Sequence, residues 1–181
     1  NGSPIGDMAP MLIALGSTLT LRHGEAQRVI ALEEFFIAYG KQDRKAGELV
    51  WRIDVPKLRE AEHFHAHKLS KRFDQDISAV MAAFRFSVAG KRITAARIAF
   101  GGMAATPKRA SLTEQAAHLL HLDDEATWQV AIDALAQDFQ PISDMRASAQ
   151  YRMDAAQGLL FRVLTELVSH GGVPTRVLET A

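Results

Sequence analysis

The chain has 181 residues, enough for one domain or two small ones, and its 21 basic and 21 acidic residues cancel. That balance removes the main electrostatic argument for a nucleic-acid partner, and no run of one sign suggests a polybasic membrane anchor. Cysteine is absent, which excludes disulfides, thiol nucleophiles and cysteine-held iron–sulfur clusters from this chain. The longest apolar run, near Met8 to Gly16, falls far short of the ~20 residues of a membrane span and contains Pro10. No secretory pattern opens the sequence, so a cytoplasmic location is the default expectation. A start at Asn1 suggests a processed or excised piece of a longer protein.

In chain order, Asp7 to Leu15 reads as a short buried helix stopped by Gly16. Thr18–Arg22 and Gln27–Leu32 read as strands joined by a turn at His23-Gly24-Glu25. From Leu49 to Val55 the pattern alternates, with Leu49, Trp51, Ile53 and Val55 on one face and Val50, Arg52 and Asp54 on the other, until Pro56 ends the strand. Three further strands follow at 63–70, 80–88 and 93–100, the last two joined through Gly90-Lys91. Val80, Ala82, Phe84, Phe86 and Val88 form one apolar face, so the expected core is an antiparallel sheet.

Beyond Gly101-Gly102 the period becomes helical. Pro107 suits the first turn of a helix running to about Leu120, with Leu112, Ala116, Leu119 and Leu120 inward. Asp123 is expected to cap a second helix whose stripe is Trp128, Ile132, Leu135 and Phe139, broken by Pro141. A last helix is expected from about Asp144 to Val168, with Met145, Ala149, Ala156, Leu160, Val163 and Leu167 inward, stopped by Gly171-Gly172 and followed by a frayed tail. The expected fold is α+β: a sheet with three helices on one face, and a small upstream piece separated by a break near residue 60.

Four groups of residues could carry chemistry. In NGSPIGD, the glycines of positions 2 and 6 let the backbone approach a ligand, and Asp7 could accept a hydrogen bond from a sugar hydroxyl or base amine; spacing alone favours a plain helix N-cap. Lys68 shares a strand face with Phe64 and Ala66, so it needs a partner or an exit to water; a snorkelling surface lysine is the simpler reading. Asp74-Gln75-Asp76 after Lys71-Arg72 could gate a cofactor edge or form a solvated turn. His63, His65 and His67 fall on one strand face, the geometry a metal site could use, but no nearby glutamate is placed to activate a water there, and a solvated edge face is the favoured reading. Arg146 and Arg152 could serve an interface, or pair with Asp144 or Asp154. No Walker loop, nucleophile elbow or G-x-G-x-x-G fingerprint is present.

The run of motifs NGSPIGDMAP, LEEFFIAYGK, GELVWRIDVP, HKLSKRFDQDIS, AARIAFGGMAATPKRA and SDMRASAQYRMDAAQGLLFR resembles, in the same order, the FAD module of the molybdenum hydroxylases, in particular the xanthine dehydrogenase small subunit. The resemblance runs from residue 1 to about 168. It implies that residues 1–57 form the rear part of a FAD-binding α/β domain. Residues 58–170 would form the flavoprotein C-terminal domain, an antiparallel sheet packed with a three-helix bundle, and 171–181 a tail. It implies FAD held by Ser3, Asp7, Val50 and Lys68, with Tyr39 near the flavin face and Asp76 in a loop, Arg72 to Ile77, where NAD docks. It also implies electron transfer from a molybdenum cofactor through 2Fe-2S clusters to FAD and then NAD. Those other groups would lie on an upstream iron–sulfur/FAD segment and a molybdenum-binding subunit, giving a hetero-oligomer in the full enzyme. No catalytic residue and no metal ligand is expected in this chain. Whether the chain alone holds FAD, or acts only as an assembly piece, is left open by the sequence.

Overall fold

A computed structural model describes residues 6–72 and 76–169. Its first helix, α1 (Met8–Leu15), ends where Gly16 takes the left-handed conformation, φ 77°, and its amide reaches back to Ile13 and Leu12. Strands β1 (Thr18–His23) and β2 (Ala26–Ala31) form an antiparallel hairpin, and β5 (Leu49–Asp54) pairs with the free side of β1. Between them lie a 3-10 turn, Leu32–Phe35, and a small ribbon of β3 (Phe36–Ala38) and β4 (Lys41–Gln42). Arg28 of β2 ties down the loop before β5 by binding Glu48 and Asp43.

The expected faces of β5 need correction. Thr20 opposes Arg52, but Leu21 opposes Val50, so Trp51 is a bulge residue. An extra residue moves everything beyond it to the other face. Leu49 therefore opposes Arg22 while Ile53 opposes Leu19, and the two no longer share a face. Val50 lies on the face of Leu19 and Leu21, the same face as Ile53.

After an exposed linker at 55–61, a four-stranded antiparallel sheet forms in the order β6 (Glu62–Leu69), β7 (Val80–Ala89), β8 (Arg92–Gly101), β9 (Lys108–Arg109). Its two faces bury different partners. Val80, Ala82, Phe84 and Phe86 enter the main core together with Trp128, Ile132, Leu135, Phe139, Ala156, Leu160, Val163 and Leu167 from the helices. On the opposite face, Ala83 and Ala99 sit directly across from each other and pack with Ile13, Ala14, Leu19 and Leu21. These short side chains let α1 lie close to the sheet. Arg85 and Arg97, also paired across the strands, donate to the carbonyls of Leu15 and Ile13, the negative end of α1. Arg97 also binds Glu33, and Arg109 links Glu33 to Glu114. Burial opposes ionisation of Glu33, but hydrogen bonds from backbone and Arg97, helped by the charges of Arg97 and Arg109, outweigh it and hold the carboxyl below its ordinary range.

The helices are α2 (Ser111–Ala117), α3 (Gln129–Asp138) and α4 (Ala149–Ser169). Three expected features of this region are corrected. Pro107 does not start a helix. The next two residues pair with Ala99 and Phe100, because the open edge of β8 offers hydrogen-bonding groups to extended chain. Leu112 and Leu119 are exposed, and Thr113, Glu114, Ala117 and Leu120 face inward. The first amides of α2 are capped from a distance by Asp138, which accepts from Leu112 N, Thr113 N and the Thr113 hydroxyl. Asp124, not Asp123, caps the turn before α3, while Asp123 pairs with Lys91.

The last helix begins five residues later than expected, and Met145 points to solvent. Asp144 shapes the turn before it, accepting from the amides of Arg146 and Ala147 and from Arg152. Arg152 is fully buried, and its guanidinium also donates to the carbonyls of Ala79 and Gly102. It thereby fastens α4 to the strand ends. Among the described residues, no helix is long and apolar enough to cross a membrane.

Candidate functional site

Strand period two gives β6 two chemical faces. Lys68 opposes Met81, so it shares the sheet face of Ala83 and Arg85 that receives α1. Asp7, at the start of α1, meets it there. Lys68 Nζ donates to Asp7 Oδ2 at 2.6 Å, and the buried Ser78 hydroxyl donates to Asp7 Oδ1 at 2.5 Å. Asp7 does not cap its own helix: no hydrogen bond joins its side chain to the α1 backbone. The carboxylate is aimed across to the sheet instead, and the lysine is held by a partner rather than only by water. Both side chains stay partly open, at 37% and 43% exposure.

Ser78 is a site residue that sequence reasoning missed, although it closes the motif SKRFDQDIS. A small hydroxyl just before a strand has little signal on its own. It matters because the fold brings it to a carboxylate 71 positions away along the chain.

The other expected residues are placed apart. Tyr39 is exposed at the β3–β4 turn, and Val50 is half-exposed on β5. Asp76 folds back on its own loop, accepting from the amides of Arg72 and Ile77 and from the Arg72 guanidinium. The Arg72 amide is the first cause holding its carboxyl below the ordinary range. Among the described residues, no hydrogen bond links these three to the Asp7–Lys68 pair. Ser3 lies outside the described residues, as do Asp74, Gln75 and the tail 171–181. A cleft of about 510 Å³ is lined by Ser70, Lys71, Asp144, Arg146, Ser148 and Tyr151.

The solvated face expected for the histidines holds for the exposed His63 and is corrected for His65 and His67. His65 opposes Phe84 and His67 opposes Ala82, so they share the core face of the sheet, beneath α4. His65 Nδ1 lies 2.8 Å from Glu166 of α4.

The chemistry of the pair suits a flavin nucleotide. The carboxylate retains lone pairs for a ring N–H or ribityl hydroxyl. The ammonium, which spends one hydrogen on Asp7, has others for a carbonyl or phosphate oxygen. The sequence matches two family models. One is the FAD binding domain in molybdopterin dehydrogenase, over residues 1–58. The other is the CO dehydrogenase flavoprotein C-terminal domain, over residues 65–167.

Among curated relatives, the nicotinate hydroxylase of Emericella nidulans is 35% identical over 166 residues, covering 88% of this chain and 12% of its own. The xanthine dehydrogenase of the same fungus is 31% identical over 170 residues, covering 92% and 12%. The solved CO dehydrogenase from Oligotropha carboxidovorans superimposes with a TM-score of 0.82 at 25% identity, over 90% of this chain and 56% of that one. The chain thus spans about an eighth of the fungal relatives and about half of the solved CO dehydrogenase chain. With one of these models matching more than half of the chain and the other most of the rest, the chain belongs to the FAD-binding flavoproteins of the molybdenum hydroxylase family.

Proposed function

We propose that this chain is the rear FAD-binding part and C-terminal domain of a xanthine dehydrogenase. In this reading FAD receives electrons from iron–sulfur clusters on other segments and passes them to NAD during purine oxidation. Residues 1–57 are the FAD part, 58–170 the C-terminal domain. A molybdenum-binding subunit carries the substrate pocket. The supporting observation is the Asp7–Lys68–Ser78 constellation, built where the two parts meet.

When bound, FAD supplies the two-electron chemistry. The chain's own groups bind and orient it. Asp7, locked by two donors, presents its remaining lone pairs in a fixed direction. Lys68 supplies a positive charge near the ring or phosphates. Ser3, Val50 and Tyr39 are further proposed contacts. Asp76, held by Arg72 and the Ile77 amide, is the proposed NAD-facing residue, and Lys71 and Arg146 in the nearby cleft carry the charge that a dinucleotide's phosphates need. A variant of the same reading assigns the flavoprotein to another molybdenum hydroxylase, since the names of the relatives include nicotinate hydroxylase and CO dehydrogenase.

The test is an FAD titration of the purified chain, followed by visible absorption, with Lys68→Ala and Asp7→Asn beside it. The expected result is bound flavin that falls about tenfold in affinity in either variant, with little loss of stability, because a half-exposed ion pair contributes only ~0–1 kcal/mol. Equal flavin affinity in both variants overturns the role of the pair. No flavin at saturating FAD overturns the reading that these residues suffice for a site.

A second reading, an assembly piece that holds no FAD by itself, is favoured by one observation. Every residue of β5 is exposed, including Leu49, Val50, Trp51 and Ile53.

A further inference from the structure

We infer that His65, His67 and Glu166 form a site for a divalent transition-metal ion, with Zn²⁺ the best match, clamping the edge strand β6 to helix α4. The site is independent of flavin binding. Residues two apart on a strand share a face, so His65 and His67 both turn toward the helical layer. Their rings stack nearly parallel, 18° apart with centroids 6.5 Å from each other. Helix α4 brings Glu166 over them, with Oε2 2.8 Å from His65 Nδ1. One ligand atom from each of the three lies within 4.8 Å of the others.

The donor set decides the ion. Two imidazole nitrogens and one carboxylate oxygen suit Zn²⁺ and its neighbours, whereas Mg²⁺ and Ca²⁺ prefer all-oxygen sites. Donors around a tetrahedral Zn²⁺ stand about 3.3 Å apart, given metal–ligand distances of about 2.0–2.1 Å. The carboxylate is already oriented: Glu166 Oε1 accepts from Arg162 Nε, one turn earlier on α4, at 2.9 Å. Such outer hydrogen bonds are what fix a ligating carboxylate in direction. Both sides of the cluster are mostly covered, at 23% exposure for His65 and 14% for Glu166, so an ion held there is largely screened from bulk water. Three protein ligands leave one position for water, and the role of the ion is to cross-link strand and helix.

The experiment uses the untagged chain, stripped with chelator and titrated with Co²⁺, whose visible bands report four-coordinate binding, with Zn²⁺ as competitor. The expected result is one equivalent of cobalt, displaced by zinc, and a raised Tm. His67→Asn and Glu166→Gln should each weaken binding at least tenfold, while His63→Asn on the exposed part of the strand leaves it unchanged. Circular dichroism without metal establishes that the variants fold. If Glu166→Gln, which also loses the His65 contact, does not fold, His67→Asn decides alone. Absence of saturable binding, or binding that survives His67→Asn, overturns the site and leaves a plain histidine–carboxylate pair.

Discussion

Gly102 and Arg152 show why short sequence signals are hard to assign. Gly102 has φ 84°, and a Cβ placed there would come within 2.4 Å of the Ala79 carbonyl oxygen and 2.9 Å of Arg152 Nη1. The glycine leaves room for the arginine that anchors the last helix. Gly102→Ala should therefore destabilise by about 2 kcal/mol or more, from left-handed backbone strain and crowding. Thermal unfolding would show a Tm lower by at least several degrees; an unchanged Tm would mean that Arg152 is not held as described. The pairing of Arg152 with Asp144 is legible in the sequence as one of two options. Its burial is not, since a guanidinium six residues past Arg146 looks like any helix-surface charge until the carbonyls of Ala79 and Gly102 arrive from elsewhere. The same holds for Glu166: its separation from the histidines along the chain hides a contact that only the α4–β6 packing creates.

At the level of elements, most strands and two of the helical stripes follow from periodicity, and the errors cluster where a single residue breaks it. Trp51 shifts the faces of β5, and two extended residues at the edge of β8 delay the start of α2. Neither event changes composition, so neither is visible to a pattern. The loop that leads into β5 is held by Arg28, which pulls the pKa of Glu48 down to about 2 through its hydrogen bonds. A depressed carboxylate stabilises the fold fully above its unfolded pKa, near 4.5. That contribution is lost as pH falls through the folded value. Acid should thus loosen the 43–48 loop between about pH 4.5 and 2. Glu48→Gln should lower neutral-pH stability and flatten that part of the acid limb in circular dichroism. An acid limb identical to the parent's would remove Glu48 from the account.

For the molecule as a whole, the two-sided sheet is the organising fact: one face carries the helical core, the other the α1 unit and the Asp7–Lys68 pair. Outside both cores, β5 and the linker expose Leu49, Val50, Trp51, Ile53, Val55 and Leu58. Edge strands with apolar side chains invite pairing. The isolated chain is expected to self-associate in a concentration-dependent way, seen by sedimentation, and Trp51→Lys should reduce it. A monomer at all concentrations would remove the support for the assembly reading. The α1 unit has a different relation to the sheet. It is held by its own buried side chains and by Arg85, Arg97, Lys68 and Ser78, all from beyond the linker. The exposed stretch 55–61 adds little to that attachment, so chain continuity is not what positions Asp7. The molecule is in effect two interlocking halves, and a gene split within this stretch would yield polypeptides able to find each other and rebuild the same carboxylate–ammonium contact.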